Sequence, residues 1–220
     1  MAKSVFISKH SGETQVLQGF AAGNDLHLVS QSFLHFEPIP FLIPSSYDVI
    51  FFGSPRAVMF YQSRYSIPDD VAIASVGGKT SALLQTLGYE VAFNGEDKGS
   101  ISEVAEAFQN WLADRIVLFP VSTKSLGTIS KGISSRQVIR VECYDTQIVG
   151  KQLEQEFDVY VFTSPSNVEG FFEKNSLPAK AIVIAWGEST EKALKDHIHT
   201  NITVLAEPSQ EALVSYLQSN

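Results

Sequence analysis

Two Ser-Pro pairs, Ser54-Pro55 in FFGSPRAVMF and Ser164-Pro165 in FTSPSNVEGFF, each follow a short apolar run and open a segment with helical spacing. A serine placed there accepts a hydrogen bond from the backbone of the first helical turn, and proline fits the first helical residue. Such a turn is good capping. It also leaves backbone N–H groups pointing outward from the carboxyl end of a strand, where α/β proteins hold ligands and anions. Two further turns, VGGKT and WGEST, are built alike: Gly77 and Gly187 for the tight turn, Thr80 and Thr190 near a helix start, with Lys79 and Ser189 beside them. Lys9, Arg56, Lys79 and Lys124 fall on loops after expected strands, either as counter-charges for an anion or as ordinary solvated side chains. Tyr144, in VECYDT, carries a hydroxyl that can donate a proton or orient a leaving group. Taken alone it is an interfacial aromatic with one wet end.

Other common constellations are missing. His197 and His199 are two apart and cannot share a helix face as ligands, and no Cys/His metal spacing occurs, so no metal site is expected. GGKT lacks the spacing of a phosphate-binding P-loop, and neither GxSxG nor GxGxxG is present.

The 220 residues carry a formal net charge of −8, which argues against a nucleic-acid partner held by phosphate neutralisation. An anionic ligand would have to be bound by local donors working against the overall field. Hydrophobic residues make up 44% of the chain, ample for packed cores. No run of about 18 apolar residues exists and MAKSVFISKH enters a strand pattern instead of a signal sequence, so a soluble protein with no membrane partner is expected. The single Cys143 fits a reducing compartment, the cytoplasm by default.

The elements that must position these residues are written twice. YDVIFFGSPRAVMFYQSRYSIP (47–68) falls on FDVYVFTSPSNVEGFFEKNSLP (157–178) at a constant offset of 110 residues without a gap, and IASVGGKTSALL continues the register onto VIAWGESTEKAL. This is a duplication giving a pair of like domains. Short β-rich runs at 5–8, 26–29, 48–53, 71–76, 90–93, 116–119, 137–142, 158–163, 181–186 and 202–205 alternate with helical periodicity, the signature of βαβ units and parallel sheets. Val104, Phe108, Trp111 and Leu112 predict one helix, Leu126, Ile129 and Ile133 another, and Gly23, Gly88 and Gly132 are placed at helix ends. The proline-rich SFLHFEPIPFLIP and its counterpart ECYDTQIV read as paired inter-domain linkers. The expected division is residues 1–35 with 147–220, residues 40–141, and linkers at 36–39 and 142–146.

The order and spacing of these turns, with the VLFPVSTKSLGTISKGI strand and helix, VECYDT and the closing EPSQEALVSYL helix, resemble uroporphyrinogen-III synthase over essentially the whole chain. The resemblance implies an α/β protein of two flavodoxin-like three-layer domains with parallel sheets, joined by a two-stranded linker around an active-site cleft. It implies closure of the linear tetrapyrrole hydroxymethylbilane to uroporphyrinogen III with inversion of the last ring, without a cofactor. Tyr144 resembles the family tyrosine suggested to assist departure of hydroxide. Ser54, Pro55, Arg56, Lys79, Thr80, Ser164, Pro165, Gly187, Ser189 and Thr190, with Lys9 and Lys124, are the substrate-binding candidates. Gly53 stands where the family turn carries Thr, and Lys9 where Arg is common. A monomer that makes transient contact with the enzyme producing hydroxymethylbilane is expected. The reading from another class is a noncatalytic two-domain module that binds an anionic small molecule.

Overall fold

The computed structural model describes residues 4–219. In chain order the elements are β1 (Ser4–Ile7), α1 (Gln15–Gly23), β2 (His27–Ser30), β3 (Leu34–Pro38), β4 (Val49–Phe52), α2 (Pro55–Gln62), β5 (Ala72–Ser75), α3 (Lys79–Thr86), β6 (Phe93–Asn94), α4 (Ile101–Leu112), β7 (Val117–Ser122), β8 (Val138–Ile148), β9 (Val159–Phe162), α5 (Pro165–Phe172), β10 (Ile182–Ala185), α6 (Glu188–Lys195), β11 (Ile202–Val204) and α7 (Gln210–Ser219). They divide into two compact units. Unit 1 holds the described residues up to His35 and those from Gln147 onward; unit 2 is Phe36–Thr146.

Unit 1 is a parallel sheet in the order β11-β10-β9-β1-β2. Its central strands are covered on both faces, which is why they read as unbroken apolar runs. Phe6, Phe33, Phe162, Val168 and Phe171 form an aromatic core on one side, and Val5, Ile7, Leu17, Val161 and Leu213 pack on the other against α1 and α7.

Unit 2 is a sheet in the order β3-β8-β7-β4-β5-β6. From β8 to β6 all neighbours run parallel. Phe52, Val58, Tyr61 and Leu84 form the core under α2 and α3, while Phe51, Phe108, Phe119, Ile129 and Ile133 form the one under α4. The duplication is visible in the element bounds: β4, α2 and β5 begin at 49, 55 and 72, and β9, α5 and β10 at 159, 165 and 182.

The segments expected as linkers, 36–39 and 142–146, fall at β3 and β8, with Ile39 N donating to the Cys143 carbonyl at 3.2 Å. β3 is an edge strand, which is where Pro38 is tolerated. One expectation needs correcting: Leu126, Ile129 and Ile133 do not lie on a helix. The whole connection from β7 to β8 is irregular, so Gly132 ends no helix either. Ser, Thr and Gly dominate this stretch, and their side chains compete for the backbone: Ser130 Oγ donates to the Gly127 carbonyl at 3.0 Å, and Gly127 adopts a φ of +62°.

Candidate active site

The carboxyl end of the unit 2 sheet is shaped by one irregularity. β7 and β8 pair in register from Val117↔Val138 to Val121↔Glu142, and the next pair is Ser122↔Tyr144, leaving Cys143 as an extra residue. A bulge of this kind shifts the alternation by one, so Tyr144 faces the side opposite to Glu142. That is the α2 side. There the Tyr144 ring stacks on Phe60 at 4.7 Å with planes 13° apart, meets the edge of Phe36 at 6.2 Å, and is 7% exposed.

The Tyr144 hydroxyl lies 3.5 Å from Ser54 Oγ, the outer limit of a hydrogen bond. Ser54 caps α2, accepting from Ala57 N at 3.2 Å, with Pro55 as the first helical residue. The Arg56 guanidinium sits 4.1 Å from the centre of the Phe36 ring. Burial pushes the Tyr144 phenol above its ordinary pKa, against smaller opposing effects of Ser54 and Arg56. The phenol is therefore a proton donor at neutral pH and not a phenolate.

Tyr144 and Ser54 open onto a cavity of about 450 Å³ within unit 2. Phe51, Ala57, Phe119 and Ile129 supply apolar lining, Ser122 and Thr146 bond to each other at 2.8 Å, and Lys124 and Arg140 supply cationic groups. Gly53 and Pro120 both belong to this lining. The matching positions of unit 1, from the sheet register, are Thr163 and Ser8. There Thr163 N donates to Ser8 Oγ at 2.8 Å and Thr163 Oγ1 to the Ser8 carbonyl at 2.6 Å. The hydroxyl that Gly53 lacks is thus spent, in unit 1, on tying two strand ends together; its loss in unit 2 clears space.

At the carboxyl end of the unit 1 sheet, Ser164 caps α5 and accepts from Asn167 N at 3.3 Å and from Asn167 Nδ2 at 3.0 Å, with Pro165 at the first helical position. Gly187 is the N-cap of α6, Ser189 is exposed and Thr190 is buried. Lys9 pairs with Glu13 at 3.2 Å and lies 5.9 Å from the Trp186 ring centre, so part of its charge is already neutralised. In unit 2, Lys79 is exposed at the start of α3 and Thr80 is buried behind it. The two Gly-x-x-Thr turns differ in backbone. Gly77 and Gly78 have φ of +116° and +50°, whereas Gly187 is extended at −172° and needs no glycine for its conformation.

Of the sequence-derived candidates, Ser54, Lys124 and Tyr144 meet at the cavity, with Pro55 and Arg56 on the adjoining helix turn. Sequence reasoning missed Arg140, Ser122 and Thr146. Alternation along VIRVE places Arg140 on a solvent-facing position near a strand end, which is the signal that could have found it.

The family model of uroporphyrinogen-III synthase HemD matches residues 26–215. A crystal structure of uroporphyrinogen-III synthetase from Helicobacter pylori superposes with a TM-score of 0.74 at 16% identity, covering 100% of this chain and 99% of that one. One of a mutant uroporphyrinogen III synthase from Thermus thermophilus gives 0.59 at 14% identity, with 100% of both chains covered. No curated protein matches the sequence. At these identities the solved structures speak for the fold, and the family match, spanning most of the sequence, assigns the chain to the uroporphyrinogen-III synthase family.

Proposed function

We propose that this member of the uroporphyrinogen-III synthase family closes hydroxymethylbilane to uroporphyrinogen III, inverting the last ring through a spiro intermediate, with Tyr144 as the proton donor. The observation that carries the reading is the buried, protonated Tyr144 hydroxyl opening onto a ring-sized cavity beside Ser54. The electron-rich pyrrole expels the terminal hydroxyl. Its C–O bond breaks, Tyr144 supplies a proton, and water leaves, giving an azafulvene. The substituted carbon of the far ring attacks, and the resulting spiro centre fragments and recloses. The proton released as the pyrrole regains aromaticity returns to the tyrosine oxygen, so the enzyme is unchanged.

Most of the driving force belongs to the substrate, and the protein contributes orientation. Carboxylates on the substrate are met by the capped helix starts at Ser54-Pro55 and Ser164-Pro165, by the Gly187–Thr190 turn with Ser189 and the Lys79–Thr80 turn, and by Lys9, Arg56 and Lys124. No cofactor enters this scheme. The same reading has the chain acting as a cytoplasmic monomer, with a transient encounter with the enzyme that makes hydroxymethylbilane. Among the described residues no helix is long and apolar enough to cross a membrane.

The test is to supply hydroxymethylbilane and resolve the isomers formed, with an enzyme-free control that closes to the uninverted type I isomer. Type III is expected from the enzyme. Type I alone would remove the synthase reading and leave a binding module for an anionic ligand.

A further inference from the structure

Asn167 is a polar side chain in the unit 1 core, only 4% exposed, and at the 110-residue offset unit 2 has Ala57 in its place. Its Oδ1 accepts from Phe33 N at 2.8 Å and from Ser32 Oγ at 3.2 Å, and Ser32 Oγ in turn accepts from Leu34 N at 3.1 Å. A backbone N–H can only donate, so the atom facing Phe33 N is the oxygen and the orientation of the amide is fixed. Its Nδ2 group is thereby turned to Ser164 Oγ, 3.0 Å away.

The consequence falls on Ser164. Its oxygen accepts from Asn167 Nδ2 and from Asn167 N at 3.3 Å, two donors for two lone pairs, so the hydroxyl proton has to be given away from the helix. In unit 2, Ser54 Oγ accepts one N–H, from Ala57 at 3.2 Å, and faces the Tyr144 hydroxyl at 3.5 Å. One turn of the pair is therefore free to accept, and the other can only donate. The support behind Asn167 is close-packed: one turn further along α5, a Cβ on Gly170 would stand 2.5 Å from Phe33 Cβ and 3.0 Å from Ile148 Cγ2. The segment between β2 and β3 thus lies directly on the helix.

Resting on the synthase reading above, we infer that Asn167 is a positioning residue: by filling the acceptor sites of Ser164 it makes that hydroxyl a dedicated donor to a substrate carboxylate. In this role Asn167 acts through Ser164 and does not touch substrate. Asn175, just past the end of the same helix, is the structural contrast. It accepts from Leu153 N at 2.8 Å and donates to the Lys151 and Phe171 carbonyls at 2.7 and 2.9 Å.

Asn167→Asp keeps an oxygen for Phe33 N and Ser32 and replaces the donor by an acceptor, which draws the Ser164 proton inward. With the linear tetrapyrrole it should raise KM by roughly tenfold, the scale of one charge-assisted hydrogen bond, while kcat changes by less than about threefold. Ser164→Ala should do the same, and the double variant should be no more than about twofold worse than either single one, because both remove one interaction. Asn175→Ala should lower the melting temperature and leave KM where it was. A second measurement needs neither a folded Asn167 variant nor activity. In the substrate-free chain the Asn167 side-chain amide protons, followed by nuclear magnetic resonance, should exchange slowly, and Ser164→Ala should speed that exchange by about tenfold. Wild-type KM in Ser164→Ala or in a folded Asn167→Asp would overturn the inference. So would an equal rise of KM in Asn175→Ala, exchange unchanged by Ser164→Ala, or a double variant about a hundredfold worse than the wild type, as independent effects would give. If the exchange behaves as described and the wild type forms no type III isomer, the hydrogen bond stands and its assignment to this reaction falls with the synthase reading.

Discussion

Unit 1 connects β1 to β2 through α1; unit 2 connects the matching strands, β7 to β8, through a segment of similar length that forms no helix. The scaffolds are otherwise alike in strand order. Where unit 1 covers its sheet with Leu17 of α1 and ties two strand ends with Ser8 and Thr163, unit 2 has Gly53, Pro120 and the Lys124–Ser130 wall around a cavity. A duplicated fold has thus kept one copy closed at this place and opened the other. The open copy also carries the bulge that turns Tyr144 toward Ser54.

Among changes that remove a single functional group, the largest effect should come from Tyr144. Tyr144→Phe should slow turnover by roughly 10²–10⁴-fold, the usual worth of one proton-transfer group, while the product remains type III and the melting curve is unchanged. Because burial raises this phenol's pKa, turnover should not fall as pH passes through the ordinary tyrosine value near 10. A full rate in Tyr144→Phe, or a decline already complete below pH 10, would remove the assigned role.

Next in size is the contrast between the two connections. Leu17 is 1% exposed, and Leu17→Ala should cost about 2–5 kcal/mol in denaturant unfolding. Leu126 is 81% exposed, and Leu126→Ala should stay within about 0.5 kcal/mol. Equal costs would mean that the wall is packed as tightly as the helix.

The paired glycine turns sharpen the comparison further. Gly77→Ala places a Cβ 2.5 Å from Glu96 N at a φ of +116°, and should destabilise by more than about 1 kcal/mol; Gly187→Ala meets nothing within 4 Å and should be nearly neutral. Unfolding curves of the two variants measured together decide it.

The smallest expected effect concerns Cys143 at the bulge. Burial pushes its thiol up to about 12, above the roughly 8.5 of a free thiol. Its contribution to stability is fully present below the unfolded value and is lost as pH rises through the folded one. Stability should therefore fall above about pH 9, and less steeply in Cys143→Ala. Identical slopes would show that other groups set the alkaline limb.

Much of this was legible in the sequence. The 110-residue register placed β4, α2, β5 and α3 on β9, α5, β10 and α6, because buried parallel strands and Ser-Pro caps leave strong local signals. The irregular wall was not legible. Leu126, Ile129 and Ile133 have helical spacing, and only tertiary packing shows that Ile129 and Ile133 turn into the core while Leu126 remains outside. The bulge was equally hidden: VECYDT alternates as an ordinary strand would, and the extra residue is defined only against Val121 and Ser122 of β7. Arg140 was passed over for the same reason, since its guanidinium is held by the Ser125 carbonyl, fifteen residues away in sequence.

The central claim is that the open copy's cavity is where the ring is turned. Gly53 offers the most direct test, because it lines that cavity and a Cβ built on it meets nothing within 4 Å. Gly53→Phe should fill the space without disturbing the backbone. The measurement is the type I to type III ratio formed from hydroxymethylbilane by the wild type and by Gly53→Phe, with fold checked by circular dichroism. The account predicts type III from the wild type, and from the folded variant only type I at the enzyme-free rate. Type III at the wild-type rate from Gly53→Phe would contradict it.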